Sequence, residues 1–313
     1  GYGEIAPLKG LSTEGYESFS SVLEEELQLF KKQKFGNQIE TGLYSSSTLF
    51  GLETALLDLN SKQELSVFSN DFRDRSLQLP INGLVWMGSA SFMKSQIQEK
   101  LLQGYSCIKM KIGAIDYKQE IQLLKELRQN FPADQLTLRV DANGAFSFEE
   151  AKLVLKELDK LDIHSIEQPI KAGQFKSMSQ LCQLNSRIGI ALDEELIGVR
   201  ETADKVSLLE EISPQYIILK PTLHGGISGT REWIQLAEER GIKWWITSAL
   251  ESNIGLNAIC QLAAEYAITI PQGLGTGSLY TNNIPSPLEL AGESISYNLD
   301  SNWDLSQLEF QEV

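Results

Sequence analysis

An ionisable residue recurs at nearly constant spacing along this chain: Lys111, Asp141, Glu167, Asp193 and Lys220 are separated by 30, 26, 26 and 27 residues. Each of the five ends a short β-branched or apolar run, and each run is followed by a turn and then by a stretch with apolar residues three and four apart. That alternation reads as repeated strand and helix units. Strands are expected in "LPINGLVW" (79–86), "YSCIKMKI" (105–112), "LTLRVDA" (136–142), "HSIEQP" (164–169), "GIALDE" (189–194), "QYIILKP" (215–221), "KWWITSA" (243–249) and "ITIPQGL" (268–274). Eight strands joined by seven amphipathic helices over about 200 residues suit a closed parallel barrel better than an open doubly wound sheet.

In such a barrel the carboxyl ends of the strands carry the active site. Side chains alternate along a strand, so Lys109 and Lys111 face one side while Ile108, Met110 and Ile112 face the other. Asp141, Glu167 and Asp193 would then converge at the barrel mouth, where three carboxylates repel one another unless a cation is shared among them. Hard oxygen donors suit Mg²⁺, with Mn²⁺ as an alternative. Burial and nearby positive charge lower a lysine's pKa and free its amine as a base. The competing interpretation is a set of ordinary ion pairs, which has no reason to repeat at successive strand ends.

Bulk properties narrow the partners. The chain has 313 residues, 42% of them hydrophobic, which supports a sizeable core. Its formal net charge is −15 and it has no basic run, so nucleic acid and anionic membranes are unsuitable partners, and an anion is bound only where positive charge is concentrated locally. No apolar run is long enough to span a bilayer. The three cysteines, Cys107, Cys182 and Cys260, are odd in number and lie in apolar surroundings, which fits reduced thiols and a cytoplasmic location. The histidines, His164 and His224, are too few for a zinc hydrolase; His164 is expected to be packed and satisfied by hydrogen bonds, and His224 to be an exposed loop residue.

The ends of the chain differ from the middle. Residues 14–30 and 45–63 have helical spacing and follow a strand-like "YGEIAPL". Together with 286–313 they are expected to form a smaller α+β capping domain over 1–76, with the barrel over 77–285. Beyond the strand ends, "SALES" and "GLGTGS" provide the Ser248 hydroxyl and the backbone N–H groups around Gly275 and Thr276 as a place for a carboxylate. A phosphate site or a simple tight turn is the alternative for the glycine segment.

Lys109-Met110-Lys111, Asp141 in "VDANG", Glu167 in "IEQP", Asp193 in "ALDE" and Lys220 in "LKPT" resemble the enolase superfamily, in its muconate-lactonising-type subgroup. The resemblance covers nearly the whole chain and implies a (β/α)7β TIM-like barrel with a capping domain. By the family pattern an opening pair of strands is absent, so the chain reads as a fragment or processed form, with "LKGLSTE" after Pro7 as the remaining lid segment. The resemblance further implies Asp141, Glu167 and Asp193 as metal ligands supported by Asn143, Lys111 as the base, Lys220 as a charge partner and Lys109 as the residue that tunes Lys111. The implied activity is syn dehydration of 2-succinyl-6-hydroxy-2,4-cyclohexadiene-1-carboxylate in menaquinone biosynthesis. N-succinyl-amino-acid racemisation and muconate cycloisomerisation use the same lysines and stand as alternatives, with a non-catalytic binding barrel as a remote one. "PQGLGTGS" lacks the Asp-x-Asp by which dipeptide epimerases of the family grip an α-ammonium group.

Overall fold

A computed structural model describes residues 1–33, 39–61, 63–73, 77–184 and 187–309. In chain order its first elements are α1 (Phe19–Lys32), α2 (Ser46–Leu59), β1 (Leu79–Pro80), β2 (Gly83–Val85), α3 (Ala90–Leu102), β3 (Cys107–Lys111), α4 (Tyr117–Asn130), β4 (Thr137–Asp141), α5 (Phe148–Asp159) and β5 (Ser165–Glu167). There follow α6 (Phe175–Cys182), β6 (Gly189–Leu192), α7 (Thr202–Ile212), β7 (Tyr216–Leu219), α8 (Gly226–Glu238), β8 (Lys243–Ile246), α9 (Asn253–Ala263), β9 (Leu288–Ala291) and β10 (Ser294–Tyr297). Two compact units divide the chain, one of residues 1–80, 220–230 and 246–313, the other of 81–219 and 231–245. The expected boundary after residue 76 and the last four residues of the C-terminal capping segment lie outside the described residues. No helix among the described residues is long and apolar enough to cross a membrane.

The strands β2 to β8 form one sheet in sequence order, and the neighbours from β2 to β7 pair parallel. Sequential parallel strands with helical crossovers are the wall of a β/α barrel. The outward residues explain why these segments are strands: Ile108, Met110, Leu138, Val140, Ile166 and Leu192 are fully buried. Each such side chain contributes about 1.5–3 kcal/mol through burial. Helix starts are equally local. Ser147 and Glu150 form a reciprocal capping box at α5, and Ser89 and Ser252 cap α3 and α9 through their hydroxyls.

Three strand expectations need correction. The segment 79–86 is two strands: Leu79 and Pro80 pair antiparallel with β10, and Gly83–Val85 pair parallel with β3. Pro80 has no N–H to donate, so one ladder cannot run through it. Pro271 acts similarly in 268–274, which has no named strand; instead Gln272 N donates to Pro80 O (2.8 Å), and Gly273 N donates to Ile246 O (2.9 Å) and pairs with Thr247. Residues 2–8 also form no strand. Tyr2 N donates to Asp58 Oδ2 (2.8 Å), and Gly3 lies so close to α2 that a Cβ there would stand 1.9 Å from the Gly51 carbonyl oxygen. A helix surface, rather than a sheet edge, satisfies this segment.

At the amino-terminal ends of the strands, His164 shares a hydrogen bond with Ser165 Oγ (3.0 Å) and another with Tyr216 Oη (3.3 Å), so it is packed as expected. Tyr216 in turn packs on Trp245, and the Arg139 guanidinium lies 4.2 Å from the Trp245 ring. Burial, reinforced by the positive charges of Arg139 and Lys243, pushes the His164 imidazole down to about 4 from 6.5.

Two outcomes are expected. Gly3→Ala overpacks the contact with α2, and chemical denaturation should show a loss of about 1–3 kcal/mol; unchanged stability would disprove the close approach. Between pH 6.5 and about 4 the unfolded chain takes up a proton at residue 164 that the folded chain refuses, so stability falls as pH drops through that window. In melting curves across the window, His164→Gln should remove on the order of 2–3 kcal/mol of this dependence.

Candidate active site

Lys111, Asp141 and Glu167 occupy one row across three strands, because Lys111 pairs with Asp141 and Asp141 with Glu167. Lys109 lies one inward position deeper, in the row of Arg139 and Ser165. Asp193 is two residues beyond Ala191, the partner of Glu167, so it projects from the turn above β6.

Charge binds these side chains together. The Lys109 ammonium donates to Asp141 Oδ2 (3.1 Å) and Glu167 Oε2 (2.9 Å), while Lys111 donates to Asp141 Oδ2 (2.6 Å) and Asn143 Oδ1 (2.7 Å). All three carboxylates are at most 2% exposed. Burial alone would lower the Lys109 pKa, but the charges of Glu167 and Asp141, with a contribution from Asp193, raise it above the ordinary lysine range. Burial likewise works against ionised Asp141, yet Lys109 and Lys111 hold its carboxyl below the usual carboxylate range.

Among the described residues, no three carboxylate, imidazole or thiol groups are arranged as they stand to hold a metal ion. The Lys109 ammonium bridges two of the three expected ligands and acts there as the cation. The donor chemistry nevertheless fits a hard divalent ion: three buried carboxylates from neighbouring strands and no sulfur or imidazole.

Other polar groups hold the loops that carry these residues. Asn143 (φ +43°) takes a bond from Lys111 and gives one to Glu194 Oε1 (2.8 Å). Gln168 (φ +39°) accepts from the backbone of Asp193 (3.1 Å) and Glu195 (3.3 Å) and donates to Glu195 Oε2 (3.0 Å). Burial raises the Glu195 pKa against the bonds from Gly173 and Gln168. Glu120, on α4, accepts from the backbone of Gly113 (2.8 Å), Ala114 (3.2 Å) and Ile115 (3.3 Å), directly after the lysine strand. None of Gln168, Glu195 and Glu120 follows from the 26-to-30-residue period; of the three only Gln168 stands next to a site acid, Glu167. Trp86 was also missed. It follows β2, and its ring centroid is 5.7 Å from Lys111 Nζ.

Lys220, Ser248, Gly275 and Thr276 belong to the other compact unit. Lys220 directly follows β7, and its backbone N–H donates to His224 Nδ1 (2.9 Å). His224 is only 2% exposed, so the expectation of an exposed loop histidine is wrong; the turn in which Leu223 N (2.8 Å) and His224 N (3.0 Å) donate to Lys220 O folds it back onto Lys220. The Ser248 hydroxyl is already engaged. It donates to Glu251 Oε2 (2.5 Å) and accepts from Leu250 N (3.0 Å). Glu251 is fully buried and also accepts from Thr222 Oγ1 (2.5 Å) and Ala249 N (2.8 Å). Burial raises its pKa, those hydroxyl bonds oppose the shift, and the charge of Glu4 adds to it. Gly275 opens the short 3-10 turn Thr276–Leu279, and Thr276 Oγ1 is buried without a hydrogen-bond partner among the described residues.

The family described as "Enolase C-terminal domain-like" matches residues 93–291. Over 255 residues the chain is 52% identical to the o-succinylbenzoate synthase of Desulfotalea psychrophila, an alignment that covers 82% of this chain and 69% of that protein. The crystal structure of MenC from Desulfotalea psychrophila LSv54 superposes with a TM-score of 0.85 at 43% identity, covering 94% of this chain and 90% of that one. At 21% identity the L-Ala-D/L-Glu epimerase from Bacillus subtilis shares the fold, with a TM-score of 0.79 and coverage of 94% and 84%. The fold class is thus α/β, a TIM-like barrel with a capping domain. Enolase-superfamily enzymes use a divalent metal, usually Mg²⁺. The chain therefore belongs to the enolase superfamily, within the enolase C-terminal domain-like family.

Proposed function

We propose that this chain is an o-succinylbenzoate synthase, a carbon–oxygen lyase that dehydrates 2-succinyl-6-hydroxy-2,4-cyclohexadiene-1-carboxylate to o-succinylbenzoate in menaquinone biosynthesis, in the cytoplasm. The carrying observation is the likeness to the Desulfotalea synthase at 52% identity, and it is supported by the array of buried Lys109, half-buried Lys111 and three buried carboxylates at the strand ends. Residues 1–76 with 286–313 are the capping domain in this reading, and 77–285 the barrel.

Lys109 is held as an ammonium by two carboxylates and is a poor proton acceptor near neutral pH. That favours Lys111 as the base, which removes the proton α to the substrate carboxylate. Once protonated, Lys111 returns that proton to the departing hydroxyl on the same face, so water leaves and the ring becomes aromatic. Asp141, Glu167 and Asp193 would hold Mg²⁺, or Mn²⁺ in its place, and the bound ion would stabilise the negative charge developing on the substrate carboxylate. Asn143 steadies Lys111 through its amide oxygen and Asp141 through its backbone N–H (3.2 Å). Lys220 contributes positive charge towards the electron-rich ring. The succinyl carboxylate is assigned to Ser248, Gly275 and Thr276; of these, the buried Thr276 hydroxyl, which has no hydrogen-bond partner among the described residues, has the clearest support.

Two lysines at separate strand ends are also what a two-base racemase of N-succinyl amino acids requires. Deuterium exchange into such substrates, faster than dehydration, would favour that reading. The missing acids in 271–278 argue against dipeptide epimerisation.

Lys111→Ala should reduce dehydration by about 10²–10⁴-fold with the melting temperature nearly unchanged; full residual turnover would remove the base assignment. Exhaustive chelation should abolish turnover, and added Mg²⁺ or Mn²⁺ should restore it. Activity that persists through chelation would refute the metal role.

A further inference from the structure

The proposed chemistry leaves Trp86 without a part. Val85 pairs with Met110, so the next residue on each strand brings Trp86 level with Lys111, and its ring centroid stands 5.7 Å from Lys111 Nζ. The backbone at this position is clamped. Trp86 N donates to Gln96 Oε1 (2.9 Å), and Gln96 Nε2 donates back to Trp86 O (2.9 Å). The side chain is half-buried, so part of the indole surface remains accessible beside the base.

The geometry points to Trp86 as a specificity-determining residue whose indole stacks on the six-membered ring of an unsaturated cyclic carboxylate while Lys111 attacks its acidic carbon. This inference rests on the function proposed above and deepens it. A proton acceptor works at about 3–3.5 Å from the atom it attacks, and paired rings favour centroid separations of about 4.5–7 Å. A ring whose acidic carbon touches Lys111 Nζ from the side of the indole can therefore reach stacking range of that indole, 5.7 Å from the same nitrogen. The contact also changes along the reaction. The cyclohexadiene ring is puckered at its saturated carbons, and loss of water flattens it, so stacking strengthens as aromaticity develops. An acyclic N-succinyl amino acid presents no ring at its acidic carbon and gains less from the indole. Trp86 would thereby separate two activities that the lysines and carboxylates cannot distinguish.

The test compares Mg²⁺-loaded wild type with Trp86→Leu, Trp86→Met and Trp86→Phe. It measures kcat and KM for the cyclohexadiene substrate, o-succinylbenzoate affinity by calorimetric titration, and melting temperature. The two aliphatic variants should bind o-succinylbenzoate about tenfold more weakly and show a similar fall in kcat/KM, whereas Trp86→Phe should stay within about threefold of wild type. Unchanged product affinity and KM in the folded aliphatic variants would overturn the stacking role. So would a loss confined to kcat, which would place the effect on Lys111 alone. Trp86→Met, close in length to the indole, serves if Trp86→Leu fails to fold. Failure of wild type to dehydrate the substrate would instead reject the proposed function.

Discussion

Everything at the strand ends depends on the Lys109 ammonium lying between Asp141 and Glu167. Two ionised carboxylates this deeply buried repel each other and have lost their hydration, and a single nitrogen at 3.1 and 2.9 Å compensates both. Removing one partner from a buried ion pair costs about 3–5 kcal/mol, because the remaining charge stays uncompensated. The pairing also separates the two lysines chemically. Lys109 is committed to the carboxylates, whereas Lys111 divides its bonds between Asp141 and the neutral side-chain amide of Asn143.

The backbone around these groups is held by side chains that take no part in the proposed chemistry. Gln168 fixes the Asp193 turn, Glu120 the turn after Lys111, His224 the backbone of Lys220, and Glu251 the segments at Thr222 and Ser248. Asn143, Gln168 and Leu250 all have positive φ, which side-chain-bearing residues adopt at a cost. Each strained turn lies within a few residues of a proposed site residue. Buried hydrogen bonds accepted by Gln168 and Glu251 over-determine two of these turns, and that is how local strain persists in a folded chain.

The period of lysines and acids was legible because strand ends repeat once per βα unit and because charge is uncommon in apolar runs. Alternation within "CIKMK" was enough to place both lysines on one side. Segments whose partners are distant in sequence were not legible. The division of 79–86 depends on β10, more than two hundred residues away, and the fate of 268–274 depends on the carbonyl of Pro80 and on residues 246–248. His224 read as exposed because its burial comes from a backward turn onto Lys220, which hydrophobic spacing does not encode. Trp86 looked like an ordinary apolar strand residue, and only the register with β3 puts it beside the base.

The Glu4 carboxylate has a consequence for when the molecule can assemble. It accepts from Ser252 N (2.7 Å), Ser252 Oγ (2.5 Å) and Gly255 N (2.7 Å), bonds that join residues separated by about 250 positions. Contacts this far apart close large loops, and their entropy must be met before they stabilise anything. During synthesis Glu4 emerges from the ribosome long before α9 exists, so its segment spends that interval without its final partner. The sheet strands β2 to β7 need no such wait, since each pairs with its immediate successor. Synthesis therefore favours a vectorial order, in which the lysine and carboxylate strands assemble first and the unit containing residue 4 closes last.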